Sequence, residues 1–380
     1  MDARDELYMR RCLQLAAAGI PTTKPNPVVG AVVVFENRII GEGYHIRPGE
    51  GHAEVNALRS VRPEDEKLLP YSTIYVSLEP CAHYGKTPPC ADLIIRKRLK
   101  RCVVGCGDPF PAVNGGGIRK LREAGIEVEL GVLEAECRKI NAPFFTYHTK
   151  KRPYVTLKWA ESADHFIDGL RPVPERAGGS GRAVRISTPQ TQMLAHKLRA
   201  ENQAILVGRR TLLLDNPSLT LRHWPGSSPL RCILAPSGRI AGEAHATDGT
   251  VPTLIFAGGN GEKCRDFREK AAAEKPQGGG TFFPPERVEL DNERPILPQV
   301  LQELHRRGIQ TLLVEGGSAT LQSFIDADLW DEAYVERGTL LLREGIPAPT
   351  MPAASAERLY RSETDYAFNR TRLHHIRLRD

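Results

Sequence analysis

Apolar residues along the chain recur in two rhythms. Near the N-terminus, DELYMRRCLQLAAAG places them three and four apart, the spacing of a helix with one buried face, and Gly19 stands where that helix would end. VVGAVVVF at 28–35 is instead a short unbroken apolar run, the mark of a buried strand. HAEVNALRSV and ADLIIRKRL return to helical spacing, STIYVSLEP and RCVVGC to strand-like runs, and GGIRKLREAG followed by IEVEL adds one more helix and strand. Such alternation predicts an α/β fold, a sheet layered with helices.

The rhythm breaks at YHTKKRP, residues 147–153. It then resumes with strands YVTLKWAES, QAILVG, LRCILA, PTLIFA and QTLLVE, with helices such as TQMLAHKLRA and LPQVLQELHRRG among them. At 380 residues the chain is long for one core. Two domains are therefore expected, 1–148 and 149–380. RPVPERAGGSG, EKPQGGGTFFPPE and EGIPAPTMPA read as loops, and no repeat of fixed period is present.

Composition narrows the classes. No stretch approaches the roughly 18–20 apolar residues of a membrane span, and the N-terminus lacks the apolar core of a secretory signal. A cytoplasmic enzyme is the expectation. The eight cysteines show no disulfide-framework spacing, so metal binding or core packing accounts for them. Cys102 and Cys106, four apart on one strand, are expected on one packed face. The net charge is 52 − 46 = +6. That charge could suggest nucleic acid, but the bases are scattered rather than run together, and a mildly basic surface serving phosphorylated small molecules fits as well.

The chemistry concentrates in His52-Ala53-Glu54, Pro80-Cys81 and Pro89-Cys90. One imidazole and two thiolates supply the three protein ligands of a catalytic zinc, leaving a position for water, whose proton becomes easier to lose. Glu54, in the first turn of a helix begun at His52, could reach the same pocket and carry the proton from water to a departing amine. The pattern is that of zinc nucleobase deaminases, H-x-E followed by P-C-x-x-C, with eight residues here between the cysteines instead of two. A packed histidine and buried thiols are the plain alternative. A structural zinc site would leave Glu54 idle and lacks an obvious fourth ligand.

The long loop LEPCAHYGKTPPC, with PNPVVGAVVV, GEGYH and GDPFPAVNGGGI, closely resembles the deaminase half of the bifunctional riboflavin-biosynthesis enzymes over residues 5–145. That resemblance implies a cytidine-deaminase-like three-layer α/β/α domain. It also implies that Asn26, His45, His83, Lys86 and Thr87 hold the substrate. One departure is Phe110, where many members carry Asn.

The second half resembles the reductase half of the same family, whose fold is like dihydrofolate reductase. LKWAESAD, VRISTPQ, HKLRAENQAILVGRRTLLLDNPSLTLR and LLVEGGSATLQSFI carry the likeness across roughly 153–330. On physical grounds alone, Glu315-Gly316-Gly317 between a strand and a helix would let backbone N–H groups approach a phosphate, and Gly208 to Thr211 offers a similar turn. The resemblance implies that Arg199, Leu219, Arg222 and Glu315 face the substrate, with Arg199 and Arg222 suited to its phosphate. It implies that Asp164, Arg185, Ser187, Gly208, Thr211, Gly316 and Gly317 face the cofactor, NADPH. Asp215 would act at the reacting ribose carbon, as proton donor or orienting group, the alternative being a turn role before Asn216-Pro217. Two departures stand out: His165 replaces a usual glycine and Arg185 a usual tryptophan.

Two reactions are thus expected. The first is zinc-dependent hydrolytic deamination of a phosphoribosylated diaminopyrimidinone. The second is NADPH-dependent reduction of its ribosyl group to ribityl. A homo-oligomer, with no nucleic-acid or membrane partner, goes with this reading. The rivals are a nucleoside or nucleic-acid deaminase with an appended non-catalytic domain, and a descendant keeping one activity. With 6% aromatic residues the chain is poor in the interleaved aromatic and basic pattern the first rival needs.

Overall fold

The computed structural model describes residues 2–82, 84, 88–109, 115–177, 182–237, 240, 244–258, 281–351, 359–364 and 372–378. The chain divides into two compact units, Met1–Arg152 and Pro153–Asp380.

The first unit runs α1 (Ala3–Ala18), β1 (Gly30–Phe35), β2 (Arg38–Tyr44), α2 (Ala53–Arg59), β3 (Thr73–Leu78), α3 (Cys90–Arg96), β4 (Arg101–Cys106), α4 (Gly116–Glu123), β5 (Glu127–Leu130), α5 (Glu134–Ile140) and α6 (Ala142–Lys150). Its sheet has the order β2-β1-β3-β4-β5. β1 runs antiparallel to β2 and β3, while β3, β4 and β5 are parallel. The period of two along β1 sorts its residues by face. Ala31 and Val33 pack with Ala57 of α2, Ile94 of α3 and Leu121 of α4. Val32 and Val34 pack with Met9 of α1, Cys137 of α5 and Phe144 of α6. Helices on both faces of one sheet make the expected three layers.

The period slips along β4. Cys102 and Val104 join the first cluster, Val103 and Cys106 the second. The cysteines expected on one face therefore lie on opposite faces. Gly105 lies between them, its backbone so close to Cys137 that an added Cβ would fall 2.3 Å from Sγ.

The second unit runs β6 (Tyr154–Glu161), β7 (Phe166–Asp168), α7 (Pro189–Glu201), β8 (Ala204–Gly208), α8 (Arg209–Asp215), β9 (Leu230–Leu234), β10 (Thr253–Gly258), β11 (Glu286–Leu290), α9 (Ile296–Arg306), β12 (Thr311–Val314), α10 (Ser318–Asp326), β13 (Glu332–Arg337), β14 (Ile346–Pro347), β15 (Leu359–Thr364) and β16 (Arg372–Leu378). Nine strands form one sheet, β11-β10-β9-β8-β12-β6-β13-β16-β15. The run from β11 to β13 is parallel, and β16 and β15 close it antiparallel.

Parallel strands covered on both sides read as continuous apolar runs. β8, β10 and β12 are buried at every position. Leu301 of α9 and Phe324 of α10 cover one face, Leu212 of α8 the other. Open parallel sheets bind ligands beyond the C-terminal ends of their strands. Gly208 ends β8, and Glu315 follows β12. Among the described residues no helix is long and apolar enough to cross a membrane.

Candidate active sites

In the first unit, two helix starts and a strand end converge. His52 immediately precedes α2, with an extended backbone, φ −68° and ψ 169°. Cys90 opens α3, and Cys81 lies three residues beyond β3. His52 Nδ1 lies 3.6 Å from Cys81 Sγ and 3.3 Å from Cys90 Sγ. The three ligand atoms all lie within 4.8 Å of one another. Zinc bonds of about 2.0–2.3 Å to nitrogen and sulfur in tetrahedral array need N···S edges of about 3.5 Å, so the donor set fits that ion. Among the described residues no fourth His, Cys, Asp or Glu joins the group, which leaves a coordination position open. The backbone fixes this geometry too: the Cys90 amide donates to Cys81 Sγ at 3.3 Å, and the Ala91 amide to the Cys81 carbonyl at 3.2 Å.

The Cys90 thiol beside Cys81 holds the Cys81 thiol far below its ordinary range, with His52 adding to the effect. Glu54 is buried at 3% exposure in the first turn of α2. Burial pushes its carboxyl up to about 7, and a hydrogen bond with Cys90 works the other way. A carboxyl poised near neutrality can both accept and give a proton at working pH.

Asn26 and His45 lie beside this centre. The His45 ring stands edge-on to that of His52, centroids 5.4 Å apart. Its Nδ1 sits 3.2 Å from the Gly51 carbonyl and its Nε2 2.9 Å from Asn26 Nδ2. A carbonyl only accepts, so Nδ1 carries the proton and Nε2 accepts from Asn26. His83, Lys86, Thr87 and Phe110 lie outside the described residues.

Glu79, between β3 and Cys81, holds the surrounding loop. Its Oε2 accepts from the amides of Asp108 and Gly115 at 3.3 and 3.0 Å, its Oε1 from those of Gly117 and Ile118 at 3.0 and 3.3 Å. Gly117 packs so near that an added Cβ would fall 1.9 Å from the Pro80 carbonyl oxygen. The start of α4 is thus fastened to the metal loop by three of these hydrogen bonds and one close backbone contact, and the fourth ties in Asp108 after β4.

In the second unit, the C-terminal strand ends border a cavity of about 1790 Å³. Gly208, Thr211 and Asp215 reach it from β8 and α8, Glu315 and Gly317 from the turn after β12. Arg185, Ser187, Arg199 and Arg222 line it as well. Arg199 and Glu315 pair through two bonds, 2.8 Å from Nε and 2.6 Å from Nη2. Burial works to raise the Glu315 carboxyl, but the Arg199 charge overrides it and holds it low. Asp215 pairs with Arg171, which also holds Asp168. Ser187 donates to the buried Glu336 at 2.6 Å, as does Thr191.

Gly316 sits so close to β8 that a Cβ would lie 2.5 Å from Val207 Cα, and Gly317 takes φ +51°. Three expected residues do not line the cavity: Asp164, Leu219 and Gly316. Asp164 accepts from Ser162 Oγ at 2.6 Å and from the amides of Leu342 and Arg343 at 3.1 and 2.7 Å. Leu219 is 2% exposed and packs in the core with Val207 and Leu212.

Two family patterns fall one in each unit, the second beginning where the second unit begins. The cytidine and deoxycytidylate deaminase zinc-binding region matches residues 2–106, and the RibD C-terminal domain matches residues 153–342. Riboflavin biosynthesis protein RibD of Aquifex aeolicus is 38% identical over 355 residues, 93% of this chain and 92% of its own. This chain belongs to the RibD family. The RibD of Bacillus amyloliquefaciens is 37% identical over 91% of this chain and 87% of its own. A crystal structure from Thermotoga maritima, described as a diaminohydroxyphosphoribosylaminopyrimidine deaminase/5-amino-6-(5-phosphoribosylamino)uracil reductase, superposes with a TM-score of 0.81 at 33% identity, covering 99% of both chains. As a RibD protein, the chain is a bifunctional deaminase and reductase of riboflavin biosynthesis. Its deaminase domain is the zinc-binding one, and the RibD reductase domain uses NADPH.

Against RibD members, the His165 departure has a definite setting. Its backbone takes φ +65°, the left-handed region glycine prefers. The ring hydrogen-bonds Glu161 at 3.1 Å, a buried carboxylate that also accepts from Trp159 Nε1 and Arg337 Nε at 2.9 and 2.8 Å. Arg185, the other expected departure, lines the cavity. Sequence reasoning assigned no part to Glu79, Arg171 or Glu336. Glu79 stood in plain view within LEPC, but no spacing rule marks a carboxylate that binds only backbone amides.

Proposed function

We propose that this chain deaminates 2,5-diamino-6-(5-phosphoribosylamino)pyrimidin-4(3H)-one and then reduces the ribosyl group of the product to ribityl. Support comes above all from the convergence of His52, Cys81 and Cys90 on one point beside the buried Glu54. Zinc held there supplies the Lewis acidity that makes water a nucleophile near neutral pH. Glu54 takes the proton that water gives up and delivers it to the departing amine, so that water enters at the ring carbon and ammonia leaves. Asn26 and His45 bind the pyrimidine beside it, and His83, Lys86 and Thr87 complete the grip.

In the second unit, NADPH when bound would supply the hydride that reduces C1 of the ribose. Gly208, Thr211, Gly317, Arg185 and Ser187 would hold the cofactor, with Gly316 letting the turn pack against β8 and Asp164 bracing the surroundings by tying Ser162 to the 342–343 backbone. Arg199, Arg222, Glu315 and Leu219 shape the substrate side. Asp215, oriented by Arg171, assists at the reacting carbon. The enzyme works in the cytoplasm as a homo-oligomer on small-molecule substrates.

The test is a paired assay of zinc content and ammonia release on the ribotide, for wild type and Glu54→Gln. One zinc per chain in both, with turnover lost only in the variant, is the expected result. Deamination of cytidine or an oligonucleotide with the ribotide untouched would sink the reading.

A further inference from the structure

His196 is a histidine for which neither fold nor mechanism has yet accounted. It lies on α7, three residues before Arg199 and therefore on the same helix face. It is 5% exposed, yet it lines the large cavity. Its Nδ1 is 3.2 Å from the backbone nitrogen of Arg222. An amide N–H can only donate, so Nδ1 accepts and the ring proton sits on Nε2. No hydrogen bond to Nε2 exists among the described residues. A buried imidazole thus presents one unspent N–H to the cavity, on the wall where Arg199 and Arg222 stand.

The surroundings keep that ring neutral. Burial and the charges of Arg199 and Arg222 push its pKa down to about 4, with His223 adding to this and Glu315 opposing it. The His223 ring packs edge-on against it, centroids 4.8 Å apart. Arg199 is largely committed, two of its nitrogens binding Glu315 and the third donating to the Thr220 carbonyl at 3.1 Å. An anion on this wall would therefore find one guanidinium already matched by a carboxylate, and would need another donor.

We propose that His196 is a substrate-binding residue of the reductase site, its Nε2–H donating to a phosphate oxygen of the phosphoribosyl substrate beside Arg222. The inference rests on the reading of Arg199 and Arg222 as the phosphate wall. His196 serves twice: Nδ1 pins the backbone of Arg222, and Nε2 meets the ligand. A neutral donor suits this place, because a third cation near the two guanidiniums would be repelled by both.

The two duties can be separated. His196→Asn keeps a short acceptor near the Nδ1 position and removes the Nε2 donor. KM and kcat of the reductase would be measured with 5-amino-6-(5-phosphoribosylamino)uracil and with its 5′-dephosphorylated form, for wild type, His196→Asn, His196→Phe and Arg222→Met, with thermal midpoints to check folding. The expectation is a KM raised roughly tenfold or more in His196→Asn for the phosphorylated substrate. Its kcat and its KM for the dephosphorylated form should be nearly unchanged. An Asn variant with wild-type KM, or one raised equally for both substrates, overturns the proposal and leaves His196 a backbone clamp. If Arg222→Met also keeps the preference for the phosphorylated form, the phosphate lies elsewhere and the underlying reading falls with it.

Discussion

A single side chain can be held in place by what surrounds it. His165 occupies a left-handed backbone position, which costs a non-glycine residue about 1–2 kcal/mol. Its hydrogen bond to Glu161 returns about 1 kcal/mol at most for so exposed a ring, and Glu161 keeps two other donors without it. The strain wins narrowly. His165→Gly should leave the reductase unit as stable or slightly more so, whereas His165→Val should cost about 2 kcal/mol, readable as a lower unfolding midpoint. Asp5 offers the reverse case. It is buried, accepts from both Nη atoms of Arg101 at 2.8 and 2.9 Å and from Tyr75 at 2.9 Å, and the Arg101 pairing holds its carboxyl below the ordinary value. A depressed folded-state pKa gives stability that is full above the unfolded value near ~3.9 and drains as pH falls through the folded one. Asp5→Asn should therefore lower stability by about 2–4 kcal/mol at neutral pH and flatten its loss in acid. Equal acid sensitivity in wild type and variant would contradict this.

At the scale of elements, the sequence was most legible where period and chemistry agreed. α1, the runs of β1, β3 and β4, and the buried strands β8, β10 and β12 carry unambiguous apolar patterns, and His-Ala-Glu with its two Pro-Cys pairs names a metal and a proton carrier together. β2, α5 and α6 were missed. The strand RIIGEGY is rich in glycine and half exposed, and α5 and α6 are short helices of seven and nine residues, too short to show a helical period. The apolar rhythm breaks at 147–153, but α6 extends through Lys150 because Phe144 and Phe145 anchor it. Asp164 looked like a cofactor ligand in sequence. Only the fold shows that it bonds to amides 178 and 179 residues away. Glu79 is the strongest case of a long-range role invisible in spacing. Glu79→Ala would strand several amide donors at the start of α4, each worth roughly 1–3 kcal/mol when buried. The expected outcome is a deaminase domain destabilised by several kcal/mol with reduced zinc retention, while NADPH oxidation persists. A variant of wild-type stability and zinc content would show that water replaces the carboxylate without loss.

At the scale of the whole molecule, each unit carries its own hydrophobic clusters, two in the first and two in the second among the described residues. Zinc removal should therefore act on one activity. Treatment with a chelator is expected to abolish ammonia release and leave reduction of the already deaminated substrate intact; parallel loss of both would mean that the metal supports the second unit too. The junction at Arg152 and Pro153 has a consequence for the gene as well as for the protein. It is a seam in the coding sequence: a cut there yields two reading frames, each specifying a complete core. Selection can then duplicate, lose or separately regulate one catalytic step without rewriting the other.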